Sequence, residues 1–294
     1  MIGEEILKKI RRLEIISRQE ARDLFAGDYH SAFKGRGMEF SDVREYQPGD
    51  DVRLIDWNVS SRLGRLFVKQ FVEERELTVI LAIDLSASLA FFSQARSKRE
   101  VAAEMAALIA FTALLNNDKI GLLIFTDRVE HFIAPRKGRT HLLRIIRDIL
   151  DFSPAGRGTS LSEALVYLAR ALNKKSVIFL ISDFLDGGDF TRPLKITARK
   201  HDLIVVDISD ARERRWPDGG LFALRDLETG ERRLLDCGLP RVRSVFPAWT
   251  ARLARSRNDL FRRSGVDTIR IEGEKDTVRP LIEFFLRRRR RRAR

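Results

Sequence analysis

The sequence predicts an α/β fold: a doubly wound, mostly parallel sheet with helices on both faces, preceded by a charged segment and carrying a β-hairpin insertion. Three observations predict it. From residue 77 onward, short apolar runs rich in β-branched residues alternate with helical stretches of ten or more residues, the pattern of buried parallel strands joined by crossovers. Hydrophobic residues make up 44% of the 294-residue chain, enough apolar mass for a core of this size. The strongest apolar runs, at 77–83, 120–125 and 177–181, fall far short of the ~20 residues that a membrane-spanning helix needs.

Taken in order, Ile6, Ile10, Leu13 and Ile16 recur at helical spacing and predict a first helix. Residues 27–50 change texture. Gly35, Gly37, Pro48 and Gly49 punctuate a crowd of charges, and Gln47-Pro48-Gly49-Asp50 is a turn signal, so the segment reads as loop-rich, with short strands around 65–72. Trp57 within it predicts that the segment packs against something, since a large aromatic seldom stands free. Strands are then predicted at 77–83, 119–125, 128–134, 176–181, 202–208 and 266–271. Helices are predicted at 99–115, 139–150, 160–172, 194–200, 249–263 and 276–288. Within residues 212–245, two strand-like runs, 221–227 and 232–236, flank a Gly-containing turn and predict a β-hairpin. The chain thus divides into an N-terminal helix and charged segment (1–76), the main domain with its insertion (77–286) and a basic tail (287–294).

The net charge is +13, and residues 287–294 hold seven positive charges with no negative one. Such a run attracts nucleic acid or anionic lipid, but it lacks the interleaved aromatics of a base-stacking surface and reads as a solvated helix end. The early residues Glu4, Glu5, Lys8 and Lys9 interrupt any signal peptide. Cys237, the single cysteine, excludes an internal disulfide and a Cys-based zinc site. A cytoplasmic location is the expectation. His30, His131, His141 and His201 are scattered without ligand spacing, so no chemistry is assigned to them.

In a doubly wound sheet, ligands bind beyond the carboxyl ends of the strands. Asp84-Leu85-Ser86-Ala87-Ser88 follows the strand at 77–83, Ser182-Asp183 follows the strand at 176–181, and Gly158-Thr159 precedes the helix at 160–172. Asp84, Ser86, Ser88, Thr159 and Asp183 are oxygen donors of the kind hard divalent cations take, directly or through water. Neutral hydroxyl ligands leave such an ion strongly electrophilic, ready to accept an acidic group from another protein. Helix capping is the competing role. It suits Ser160, which opens a Ser-Leu-Ser-Glu capping pattern, but not Asp84, since the next helix starts near Lys98.

These five residues, in order and in loop placement, resemble the metal-ion-dependent adhesion site of the von Willebrand factor A fold. The runs Gly35-Arg36-Gly37-Met38-Glu39-Phe40, Val43-Arg44-Glu45-Tyr46-Gln47-Pro48-Gly49-Asp50-Asp51-Val52-Arg53 and Ile55-Asp56-Trp57-Asn58 are similar to the signature of a bacterial family, domain of unknown function fifty-eight (DUF58). Glu73-Glu74-Arg75-Glu76 fits as well. The resemblance spans about residues 27–288 and implies a Rossmann-like von Willebrand A domain behind the charged segment. It implies a non-enzymatic interaction protein that uses Mg²⁺ (Mn²⁺ or Ca²⁺ as alternatives) and acts with a MoxR-type AAA+ ATPase or its client. Two other functions compete. In one, Asp84 is the nucleophile of a Mg²⁺-dependent phosphohydrolase; against it, the sequence has neither a second Asp two positions on nor a Gly-rich phosphate loop with Lys. In the other, the tail and the Arg-rich stretch 252–263 bind nucleic acid, although no reading module is present.

Overall fold

The structure is a computed structural model and describes residues 32–33, 38–73, 76–93, 96–214, 219–272 and 277–292. The helix expected over residues 6–16 lies outside them. The described chain divides into two units, residues 33–77 and the remainder.

In the smaller unit, strand β1 (Met38–Glu45) pairs antiparallel with β2 (Phe67–Glu73), with a bulge between Phe40 and Asp42. Between them lies a short helix, α1 (Trp57–Leu63). Asp56 caps it by accepting from the backbone N–H groups of Asn58 and Val59, and Gly64 ends it in the left-handed conformation. The Gln47-Pro48-Gly49-Asp50 turn is held by Arg44, whose guanidinium grips the Asp50 carboxylate through two bonds of 2.7 and 2.6 Å. Trp57, expected to be packed, is 67% exposed. It occupies the first position of α1, while Ile55 and Val68 are buried.

The larger unit holds a six-stranded sheet. Its strands are β3 (Thr78–Asp84), β4 (Lys119–Phe125), β5 (Val129–Arg136), β6 (Val177–Ser182), β7 (Asp202–Ser209) and β10 (Asp267–Glu272), in the order β10-β7-β6-β3-β4-β5. All neighbours are parallel except β4 and β5. The four central strands are buried along almost their whole length, which is why they read as continuous apolar runs and not as alternations. Helix α2 (Lys98–Leu115) lies across β3, β4, β6 and β7, with α3 (Arg139–Asp151) beside it over β4. A Ser97–Glu100 capping box starts α2, and its run of Ala, Leu, Ile and Phe is buried nearly all round, as a helix under a sheet requires. On the other face, α4 (Leu161–Ala171), α5 (Thr191–Lys200) and α6 (Pro240–Arg263) close a core with Ile80, Ala82, Leu123, Phe125, Ile178 and Leu180.

The insertion forms the hairpin β8 (Leu221–Arg225) and β9 (Arg232–Asp236). The last helix, α7 (Val278–Arg292), runs against β10 and continues through the basic stretch. As in a solvated helix end, Arg287, Arg289, Arg290 and Arg291 are exposed, while Arg288 is buried. Arg288 bonds Asp202 and lies near Asp267, Arg291 bonds Asp267 at 3.2 Å, and Arg287 donates to the carbonyl of Thr268 at 3.2 Å. These arginines fasten the helix to the edge of the sheet. Among the described residues, no helix is long and apolar enough to cross a membrane.

The chain leaves β3 toward β4 on one side and later returns to place β6 on its other side. This reversal of strand order opens a crevice outside the carboxyl ends of β3 and β6.

Candidate metal centre

Parallel pairing aligns Ile83 with Ile181, so Asp84 at the end of β3 lies beside Ser182 at the end of β6. The Ser182 hydroxyl donates to Asp84 Oδ2 at 2.6 Å, and the backbone N–H of Ser86 donates to Asp84 Oδ1 at 2.8 Å. The chain then makes a short 3₁₀ turn, Ala87–Ala90, in which the Ser86 hydroxyl caps nothing. It stands instead 3.0 Å from the Ser88 hydroxyl.

Backbone bonds bring the neighbouring loops to this point. Leu85 N–H donates to the carbonyl of Phe125, and Ala87 N–H to that of Arg157, each at 2.9 Å. Leu161 N–H, at the start of α4, donates to Asp186 Oδ2 at 2.8 Å, tying the Thr159 loop to the Asp183 loop. Ser160 caps α4, so the capping role and the site role fall on different residues. Gly156 is required where the Thr159 loop crosses the end of β4: a Cβ there would meet Asp127 Oδ1 at 2.1 Å and Thr126 Oγ1 at 2.2 Å. Phe184, directly after Asp183, has φ of 55°. A left-handed backbone is strained for an aromatic residue. It is held there by an edge-on contact with Phe261 of α6 at 5.2 Å and by Arg257, which donates to the Asp183 carbonyl at 2.8 Å and grips Asp207 at 3.0 and 2.8 Å.

Of the five expected site residues, Asp84, Ser86 and Ser88 form one bonded group. Asp183 joins it as a charge: burial first, then the negative charge of Asp183, push the Asp84 carboxyl up to about 7, against the donors Ser182 and Ser86. Asp183 itself is engaged by a residue that the sequence reading did not assign. Lys98, at the first position of α2 and only 2% exposed, donates to Asp183 Oδ2 at 2.6 Å and also bonds Glu213. Burial pulls this ammonium down, but the charges of Asp183 and Glu213 prevail and hold it above the ordinary lysine value. Thr159 lies on the adjoining loop, and its hydroxyl donates to Glu228 Oε1 in the hairpin turn at 2.8 Å. Neither Thr159 nor Asp183 hydrogen-bonds the Asp84–Ser86–Ser88 group.

The donor set fits a hard divalent cation. In an octahedron with metal–oxygen bonds of about 2.1 Å, adjacent ligands stand about 3.0 Å apart. The Ser86 and Ser88 oxygens already have that separation. Among the described residues, no three His, Cys, Asp or Glu side chains are grouped for a metal, and the oxygen donors around Asp84 are hydroxyls beside carboxylates.

A family model described as "Protein of unknown function DUF58" matches residues 42–257. The chain belongs to this family. A relative of the DUF58 chain, the uncharacterized protein Rv1480 of Mycobacterium tuberculosis, is 31% identical over 283 residues, covering 96% of this chain and 89% of that one. Among solved structures, the conserved hypothetical protein BatB from Bacteroides thetaiotaomicron superposes with a TM-score of 0.51 at 15% identity, over 73% of this chain and 99% of BatB. A von Willebrand factor type A protein from Catenulispora acidiphila gives 0.44 at 12% identity, over 76% of this chain and 43% of that one. The doubly wound α/β architecture expected from the DUF58 sequence is the one observed.

Proposed function

We propose that this DUF58 chain is a non-enzymatic interaction module that receives an acidic group of a partner protein on a divalent cation, Mg²⁺ first. Asp84, Ser86, Ser88, Thr159 and Asp183 would hold the ion, directly or through water, and the chemistry it supplies is an electrophilic site for a carboxylate. The observation that carries the reading is the Ser86–Ser88 oxygen pair, 3.0 Å apart beside a fully buried Asp84 at the switch point of the sheet. The protein's part is to hold these oxygens before the ion arrives. The two hydrogen bonds to Asp84 fix its carboxylate, and the backbone bonds at Leu85 and Ala87 fix the loop. The von Willebrand A resemblance supports the same reading, and the family resemblance makes a MoxR-type AAA+ ATPase or its client the first partner to try.

The phosphohydrolase reading gains no support. His141 bonds the carbonyl of Ile120 and His201 accepts from the N–H of Ser176, both at the opposite, amino-terminal ends of the strands. The test is titration calorimetry of the full chain with Mg²⁺ and Mn²⁺, followed by capture of the ATPase in Mg²⁺ and in EDTA. Binding of one ion per chain, lost in Asp84→Ala together with capture, is the expected result. Equal capture in EDTA would refute the metal's role.

A further inference from the structure

Helix α6 carries more apolar surface than its own fold covers. Its C-terminal half is anchored: Phe261 is buried against Phe184, and one turn earlier Arg257 donates to the Asp183 carbonyl at 2.8 Å. Strand β10 follows α6 and runs parallel to β7, so α6 itself runs antiparallel to the strands and meets their carboxyl edge at Arg257. At 1.5 Å per residue, the preceding residues 240–256 lead about 25 Å onward from that edge. Val245, Trp249 and Leu253 recur there at every fourth position and are 61, 56 and 47% exposed. They prolong the row of Arg257 and Phe261, so the helix side that is buried at its C-terminal end is uncovered here.

The two flanks of this ridge differ. On one, the row 242, 246, 250 and 254 is half-buried, so the chain closes that side itself. On the other, at 100° per residue, fall Arg241, Arg252 and Arg255, all exposed. No acid occurs from Pro240 to Ser256. A second copy of this +13 chain would bring arginine to arginine, so charge favours an acidic occupant. The uncovered ridge is narrow, about 12 Å from Val245 to Leu253 and closed along one side. That is a seam for one helix and not a broad apolar face that would lie in a bilayer.

We propose that the ridge of Val245, Trp249 and Leu253 docks an acidic amphipathic helix of a partner protein, whose carboxylates face Arg241, Arg252 and Arg255. The inference rests on the interaction reading above for the kind of partner, but it needs no metal ion. Leu253 lies one turn from Arg257, which holds the Asp183 loop. A partner seated on the ridge is thereby tethered at the rim of the crevice, where its remaining acidic groups act at raised effective concentration.

The test uses the full chain in EDTA. The probes are two labelled synthetic helical peptides with the same leucine seam, one flanked by glutamate and one by lysine, and vesicles of phosphatidylcholine with phosphatidylserine. Binding is read by fluorescence anisotropy for the peptides and by co-sedimentation for the vesicles. Wild type is compared with Trp249→Ala, the double variant Arg241→Glu/Arg252→Glu, Asp84→Ala and Leu115→Ser. Leu115 is 45% exposed at the end of α2, by the amino-terminal ends of the strands, and controls for loss of an exposed apolar group. We expect the glutamate peptide to bind wild type, Leu115→Ser and Asp84→Ala alike and at least tenfold more weakly in Trp249→Ala, with melting temperatures unchanged. The double variant should prefer the lysine peptide. Equal affinity in the Trp249 and Leu115 variants, no binding of the glutamate peptide to wild type, or no preference between the peptides would overturn the proposal. Vesicle binding lost in Trp249→Ala, without peptide binding, would make the ridge a lipid surface and overturn the protein partner. Peptide binding lost in Asp84→Ala would place the peptide in the crevice and overturn the ridge. Peptide binding as expected in a chain that takes up no Mg²⁺ would leave the ridge standing and sink the metal reading alone.

Discussion

Replacing Asp84 with Asn should make the metal-free protein more stable while removing a carboxylate of its proposed cation site. Asp84 is fully buried, and its carboxyl rises from an ordinary 3.8 to about 7. Between pH 4 and 7 the native protein thus keeps a proton that the unfolded chain has lost, so this group makes stability fall as pH rises through that window and level off above it. At 1.36 kcal/mol per pH unit, the difference amounts to at most about 4 kcal/mol. Asn carries no charge to desolvate. Its carbonyl can still accept from Ser86 N–H, and its amide can donate to the Ser182 hydroxyl, which has a second lone pair beside the one taken by Phe184 N–H. The assay is urea unfolding of both proteins in EDTA from pH 5 to 8. With a slope of about 3 kcal/mol per molar urea, the midpoint of Asp84→Asn should exceed that of wild type by up to about 1.4 M at pH 8, an offset that narrows to about 0.5 M at pH 5. Taking the difference between the two proteins cancels the titrating groups that do not interact with Asp84. An Asn variant that is less stable at pH 8, or an offset that does not change with pH, would refute the idea that this carboxylate is kept at a cost to the fold.

Three further outcomes follow from the same contacts. Lys98→Met leaves Asp183 and Glu213 without their buried ammonium and should destabilise the protein by about 3–5 kcal/mol, with Mn²⁺ restoring more melting temperature than it adds to wild type; thermal unfolding with and without the ion measures both. Gly156→Ala forces apart Thr126 and Asp127 and should cost about 2 kcal/mol and weaken cation binding, because the loop it displaces carries Thr159; an unchanged melting temperature would show that the loop yields freely. Burial first, then Lys200, lower His201 from 6.5 to about 4, so the unfolded chain binds its proton first and this group's contribution, about 3 kcal/mol, is lost as pH falls from 6.5 to 4; His201→Gln should flatten that part of the pH profile.

The legible parts of the chain were those whose local pattern and final environment agree. Strand β4 was read with the bounds it has, because a run buried on both faces needs no alternation to be decoded. Strand β1 was read as loop. Its apolar residues Met38, Phe40 and Val43 oppose Glu73, Phe71 and Lys69 and so share one face, but the extra residue at the bulge spaces them two and then three apart in sequence, which breaks the period of two. Helix α6 starts at Pro240, nine residues before the predicted start at Trp249, with Pro240 in the first turn, where proline is tolerated. In the basic stretch, Arg287, Arg288 and Arg291 share one helical face, but their partners Thr268, Asp202 and Asp267 come from two different strands, which the local sequence does not reveal. The loop residues around Asp84 were legible as a set because the strand ends that carry them were. Lys98 did leave a signal. A cation at the first position of a helix opposes the helix dipole and is retained only where carboxylates such as Asp183 and Glu213 repay it. Glu228 left none, because a turn glutamate looks the same whether or not another loop lies beneath it.

Lys98 also bears on how tightly the proposed site would hold its ion. Lys98 already neutralises much of Asp183, so an incoming dication finds less anionic charge than two free carboxylates would offer. Weak resident binding is the consequence, and with it a strong dependence on any further carboxylate that approaches. Binding free energies at two coupled sites are reciprocal: the factor by which a carboxylate tightens the ion is the factor by which the ion tightens the carboxylate. A site built with hydroxyls and a built-in ammonium is therefore poorly suited to storing metal and well suited to making metal and acidic partner bind together. Measured Mn²⁺ affinity should accordingly rise when an acidic partner is present, by the same factor that Mn²⁺ raises the affinity for that partner. A factor of one, with Mn²⁺ affinity unchanged by the partner, would mean that the ion and the partner do not meet at Asp84.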